Sequence, residues 1–129
     1  MSIDNCSQQQ KTQTKTTSKS TLSAYYQIDR TTLNKWLILF CTDIFGDEKT
    51  IINLRNFTDL QIGKIKEKLG LEPQFYWKKD LIKIAETDYK TIRDNIKLFP
   101  QTYGISENDY RSLSKFPPKI AKQIIDALG

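Results

Sequence analysis

Displaced by 59 residues, the chain lies on itself: residues 18–70 meet residues 77–129 without a gap, and 12 of the 53 pairs are identical. Unrelated segments of ordinary composition give roughly three such matches. The identities include Lys19/Lys78, Leu22/Leu81, Asp29/Asp88, Thr32/Thr91, Leu54/Leu113, Phe57/Phe116, Ile65/Ile124 and Gly70/Gly129. Leu33/Ile92 and Leu37/Ile96 are conservative pairs at the same spacing. Most of these are apolar or helix-capping residue types, the positions a shared fold constrains most. The expectation is two tandem copies of one small fold, residues 20–71 and 77–129. A short linker at 72–76 joins them, and a polar tail at 1–19 precedes them.

Both copies report on one fold, so their local signals can be pooled. Residues 22–26 and 81–85 read as a short first helix. Asp29 and Asp88 follow as N-caps, since a carboxylate there accepts from N–H groups two or three residues on. Leu33, Trp36, Leu37 and Phe40 then recur at the spacing of a helix with one buried face, matched by Ile92, Ile96 and Phe99. A third short helix fits 48–55 and 107–114, capped by Asp47 and Ser106, with a strand or wing at Thr50-Ile51-Ile52 as the alternative. The last helix opens on Thr58 with Gln61 completing a capping box, and its counterpart opens on Pro117-Pro118. Gly70 and Gly129 stand where a C-terminal glycine belongs. The expected fold class is all-α, with about four helices per copy and little or no sheet.

The remaining composition narrows the function classes. The first 19 residues are mostly Ser, Thr, Gln and Lys, too polar to offset the entropy of ordering, so a disordered tail is expected. No apolar run resembles a signal peptide or a membrane span, so a cytosolic location without a membrane partner is expected. Cys6 and Cys41 do not make a disulfide framework, and histidine is absent, so no zinc site is expected and a histidine-based triad is excluded. No phosphate-cradling glycine loop or catalytic constellation is found; no enzyme activity, cofactor or small-molecule substrate is expected. Net charge is +5, divided as +2 on the tail, +1 on residues 20–71 and +2 on residues 72–129. A basic balance suits a polyanionic partner.

Leu22, Tyr26, Ile28, Thr32, Leu33, Trp36 and Leu37 carry a recognisable order and spacing, with Asp29 at a capping position. Over these 16 residues the chain resembles the helix-turn-helix of small bacterial DNA-binding proteins, particularly the excisionase-like and MerR-like regulators. Gln27 departs from the turn glycine of that pattern. The resemblance implies that the second helix offers its outer face to the major groove of DNA, N-terminal turn nearest the bases. Periodicity places Arg30, Thr31, Asn34 and Lys35 on that face. Arg and Asn can pair bidentately with guanine and adenine edges, while Thr31 and Lys35 suit phosphates or a thymine methyl. The corresponding face of the second copy holds Tyr89, Lys90, Arg93, Asp94 and Lys97. There Asp94 opposes phosphate, and Thr87 replaces the apolar Ile28.

The expected function is therefore sequence-selective binding of double-stranded DNA, as a transcriptional regulator or an excisionase-like accessory factor. The alternative is a protein-interaction adaptor that uses the same helices as a packing scaffold. The run Trp36 to Phe40 is apolar all round, which suits burial against the other copy, with a homodimer patch as the second option. Phe75, Tyr76 and Trp77 are read mainly as packing for the linker, and less as a platform for single-stranded bases. Lys11, Lys15 and Lys19 are candidates for nonspecific phosphate contacts.

Overall fold

A computed structural model describes residues 16–129; Cys6, Lys11, Lys15 and most of the expected tail lie outside the described residues. The chain is mostly helical and runs twice through one order of elements. The first run is β1 (Thr16–Ser18), α1 (Lys19–Tyr26), α2 (Arg30–Phe40), α3 (Thr42–Phe45), α4 (Glu48–Asn53), β2 (Asn56–Thr58) and α5 (Asp59–Leu69). The second is β3 (Tyr76–Trp77), α6 (Lys78–Ala85), α7 (Tyr89–Leu98), α8 (Pro100–Tyr103), α9 (Glu107–Ser112), β4 (Lys115–Phe116) and α10 (Pro118–Leu128). Helices α6, α9 and α10 begin and end 59 residues after α1, α4 and α5. No helix among the described residues is long and apolar enough to cross a membrane.

Three details differ from the sequence reading. Each half has five helices instead of four, because α3 and α8 are four-residue turns too short to show any periodicity. Each half also has a two-stranded antiparallel ladder. β1 pairs with β2 in the register Thr17↔Phe57, and β3 pairs with β4 through Tyr76↔Phe116 and Trp77↔Lys115. Thr16–Ser18 therefore belong to a strand and not to the expected tail, and Tyr76 leaves the linker to join a strand. Both ladders close between segments distant in sequence, which a composition-based boundary cannot register. Residues 48–53 form a helix, so the strand alternative at Thr50-Ile51-Ile52 does not occur.

Local chemistry accounts for the helix starts. Asp29 accepts from Thr32 N at 2.8 Å, Asp47 from Thr50 N at 2.8 Å and Asp88 from Thr91 N at 2.7 Å. Ser106 accepts from Asp109 N at 3.1 Å, and Thr58 with Gln61 makes the reciprocal capping box that opens α5. Between α1 and α2 the chain turns through Gln27 at φ 62°, and between α6 and α7 through Glu86 at φ 54°. Left-handed backbone is uncommon for residues with a side chain. At Gln27 the side chain helps to hold it, its Nε2 donating to Pro73 O at 2.7 Å.

The cap carboxyls give the fold a defined acid limit. Hydrogen bonds from the Thr32 hydroxyl and backbone hold Asp29 below the usual carboxylate range. The Thr91 backbone N–H and hydroxyl do the same to Asp88, and those of Thr50 to Asp47. A carboxyl whose folded-state pKa is lowered stabilises the fold above its unfolded value, near 3.9, and loses that contribution as pH falls through the folded value. Stability measured by urea unfolding is expected to fall below about pH 4. The Asp29→Asn/Asp47→Asn/Asp88→Asn variant should show a shallower fall; equal slopes would contradict the assignment.

One apolar core runs through both halves. Leu22, Tyr26, Leu33, Trp36, Leu37, Phe57, Ile65 and Leu69 are buried in the first, and Leu81, Ile92, Ile96, Phe116 and Ile124 in the second. Trp36 ties them together: fully buried, it stacks edge-on against Tyr26 and donates Nε1–H to Lys115 O at 3.0 Å. This part of the apolar run on α2 is thus covered by the second half. Tyr26 Oη donates to Gly70 O at 2.6 Å, Lys119 Nζ donates to Glu67 O at 2.7 Å, and Lys122 pairs with Glu72 at 2.9 Å. The two lysine contacts hold α10 against the end of α5 and the segment that follows it.

Candidate nucleic-acid interface

Two lysines identical at the 59-residue spacing have structural work. Lys19 is 2% exposed, and its ammonium donates to the Ile51 and Ile52 carbonyls at the end of α4. Lys78 reaches Arg111 O at the end of α9 and lies 4.6 Å from the Tyr110 ring centroid. A helix C-terminus leaves carbonyls unpaired and carries partial negative charge, so a lysine there satisfies both. Burial holds the Lys19 and Lys78 ammonium groups below the ordinary lysine value, with Arg30 and Lys35 respectively adding repulsion. Lys19 is accordingly not a tail cation free to meet phosphate.

The face expected on α2 is divided by the packing of the two halves. Arg30 and Thr31 are exposed at the N-terminal turn. Asn34 is half-buried, and its Oδ1 is enclosed with no hydrogen-bond partner among the described residues. Lys35 remains exposed, but its Nζ donates to Ser112 O of the second half at 2.6 Å. That bond spans 77 positions of sequence and could not be read from the helix alone. Of the four residues, Arg30 and Thr31 at the helix start have no side-chain partner among the described residues, and Lys35 adds its charge at the seam between halves.

On α7, Tyr89, Lys90 and Lys97 are exposed. Arg93 is half-buried and shared between Asp94 at 3.6 Å and Glu107 at 4.0 Å, which offsets part of its charge. Ile28 is buried beneath the first turn, whereas Thr87 in the second is half-buried and polar. The second turn has a smaller apolar anchor for the same reason that was visible in the sequence.

Next to the α2 face lies a group of residues that periodicity did not assemble. Lys115, whose carbonyl receives Trp36, lies across the β3–β4 ladder from Trp77. Its Nζ is 5.1 Å from the centroids of both Phe75 and Trp77, and its charge acts on Asp29 at the α2 cap. Lys79 Nζ lies 5.5 Å from the Trp77 ring. The aromatic run therefore divides: Phe75 and Tyr76 are half-buried, and Trp77 is exposed. Its signal in the sequence was the run itself followed by Lys78-Lys79; the contribution of Lys115 required the ladder.

A larger groove lies elsewhere. About 910 Å³ in volume, it lies between α5 and α10, and its walls alternate Lys66, Glu67, Glu72, Lys119, Lys122 and Asp126. With charges of both signs, two of them already paired, it has no preference for a polyanion. Cys41, at the end of α2, is buried, and burial pushes its thiol up to about 12. Such a thiol is inert near neutral pH. In comparisons with known proteins, no family model, curated protein or solved structure matches the chain.

Proposed function

We propose that the chain is a non-enzymatic, sequence-selective binder of double-stranded DNA, made of two tandem helix-turn-helix copies and acting as a transcriptional regulator or an excisionase-like accessory factor. The observation that carries the reading is the start of α2. Arg30 and Thr31 project from a helix whose opposite face is locked by the buried Tyr26, Leu33 and Leu37, beside a surface bearing Lys35 and Lys115. Arg30 reads a base edge, Thr31 and Lys35 meet phosphate, and the half-buried Asn34 is less available to a base. Tyr89, Lys90, Arg93 and Lys97 supply a weaker second contact, because Asp94 and Glu107 engage Arg93. Two linked contacts raise the effective concentration of the second, so modest charge per copy suffices. The equal spacing of α1, α4 and α5 with α6, α9 and α10 supports the tandem-copy part of this reading.

Selection from a random duplex library tests it. The wild type is expected to enrich a defined site. Arg30→Ala is expected to bind that site with about 1–3 kcal/mol less free energy and to lose preference at one base position. A folded wild type that enriches no sequence would contradict the proposal.

A second reading has its own observation. The adjacent Leu98 and Phe99 at the end of α7 are 68% and 58% exposed, apolar surface that suits an adaptor docking a protein. Salt separates the readings, because affinity through phosphate contacts falls steeply with salt and an apolar interface responds little.

A further inference from the structure

We propose that the cleft between β3, the start of α6 and the start of α7 stacks an unpaired nucleobase and holds the adjoining phosphate, so that the protein also binds single-stranded nucleic acid. The proposal stands on the chemistry of this cleft and not on the duplex role of α2.

The cleft has a volume of about 350 Å³, enough for one base and its sugar. Two aromatic rings border it, Trp77 at 39% exposure and Tyr89 at 52%. Trp77 is braced edge-on by Phe75, with centroids 5.2 Å apart and planes at 79°, so part of the ring is supported and part remains open. A supported, exposed ring loses little conformational entropy when a base stacks on it. Every base has such a face, so the contact tolerates any sequence.

Cations outnumber carboxylates around these rings: Asp80 accepts from Trp77 N at 3.2 Å and is engaged as the cap of α6. Lys79 and Arg111 border the cleft, and Lys115 lies against Trp77 from across the ladder. No carboxylate lines the cleft among the described residues, and Arg111 meets Glu107 only at 4.0 Å. Cations beside an aromatic face, with the nearest carboxylate engaged by the Trp77 backbone, match the alternation of base and phosphate along an unpaired strand. The α5–α10 groove is larger but has neither exposed aromatics nor unbalanced charge.

The test is fluorescence anisotropy of a labelled thymidine oligonucleotide titrated with the intact chain, with tryptophan emission recorded in parallel. The chain has two tryptophans, and Trp36 is fully buried, so quenching by the oligonucleotide reports Trp77. Expected are salt-sensitive binding, quenched emission, and affinity about tenfold or more weaker in Trp77→Ala. Trp77→Phe keeps a ring and is expected to bind within a few-fold of the wild type. Circular dichroism verifies that both variants are folded. Absence of binding at low salt, unchanged emission, or equal affinity in folded Trp77→Ala would overturn the proposal. A duplex titrated alongside keeps the two readings apart: strand binding that survives a failure with duplex removes only the duplex reading.

Discussion

Replacing Trp36 by alanine is expected to cost about 3–5 kcal/mol, a large part of the stability of a chain this size. The indole is fully buried, meets Tyr26 with ring centroids 5.5 Å apart, and bonds to Lys115 O of the second half. Truncation opens a cavity in the shared core and leaves that carbonyl without its indole donor. Trp36→Phe separates the two effects. It retains most of the apolar volume, so its cost is expected near about 1–3 kcal/mol, the range for a buried group deprived of its hydrogen bond together with a small packing loss. Urea unfolding followed by circular dichroism measures both. One core through both halves predicts a single cooperative transition in the wild type. A Trp36→Ala variant with an unchanged midpoint would contradict the assigned role of the indole in joining the halves.

The second large effect concerns a glycine whose replacement acts at the same seam. Gly70 ends α5 at φ 110°, and a Cβ added there would lie 2.8 Å from Lys119 N and 2.9 Å from Pro118 Cγ. Backbone, which cannot swing aside, is the nearer obstacle. Strain and overlap together are expected to make Gly70→Ala cost at least about 2 kcal/mol. Gly63, about two helix turns earlier on α5, provides the contrast. It is exposed, and nothing lies within 4 Å of an added Cβ. Gly63→Ala is expected to stabilise the fold by about 0.5–1 kcal/mol through its helix preference. Opposite signs at two glycines of one helix follow from the close approach of α5 to α10. Thermal unfolding of the two variants checks it, and a neutral Gly70→Ala would show that the approach yields easily.

Why some features were legible in the sequence and others not has a physical explanation. Caps act over three residues, and Asp29, Asp47, Asp88, Ser106 and Thr58 all start helices where their types and spacing place them. The buried faces of α2 and α7 follow from helical periodicity, with Leu33 and Leu37 matched by Ile92 and Ile96. Contacts between distant residues left no such trace. Thr17 pairs with Phe57, which draws Thr16–Ser18 out of a stretch whose composition reads as tail. Lys35 looks like a helix-surface cation until the second half brings Ser112 O within 2.6 Å. Lys19 and Lys78 are instructive in the opposite direction. Their identity was visible, and its reason is the uncapped carbonyls at the ends of α4 and α9. For the candidate site, Arg30 and Thr31 follow from spacing, whereas Lys115 beside Trp77 follows only from the ladder.

The most direct measurement of the duplex reading is fluorescence anisotropy of a random-sequence DNA duplex pool, titrated with the intact chain at about 50 mM and 200 mM salt. With about four phosphate contacts, affinity is expected to fall roughly 100-fold between these conditions. The Arg30→Ala/Lys90→Ala variant, altered only at exposed positions, should bind more weakly and, through the lost Lys90 contact, reduce the logarithmic salt slope by about one. A folded wild type that leaves the duplex unbound at the lower salt, or binds it equally well at both, would contradict recognition of DNA by α2.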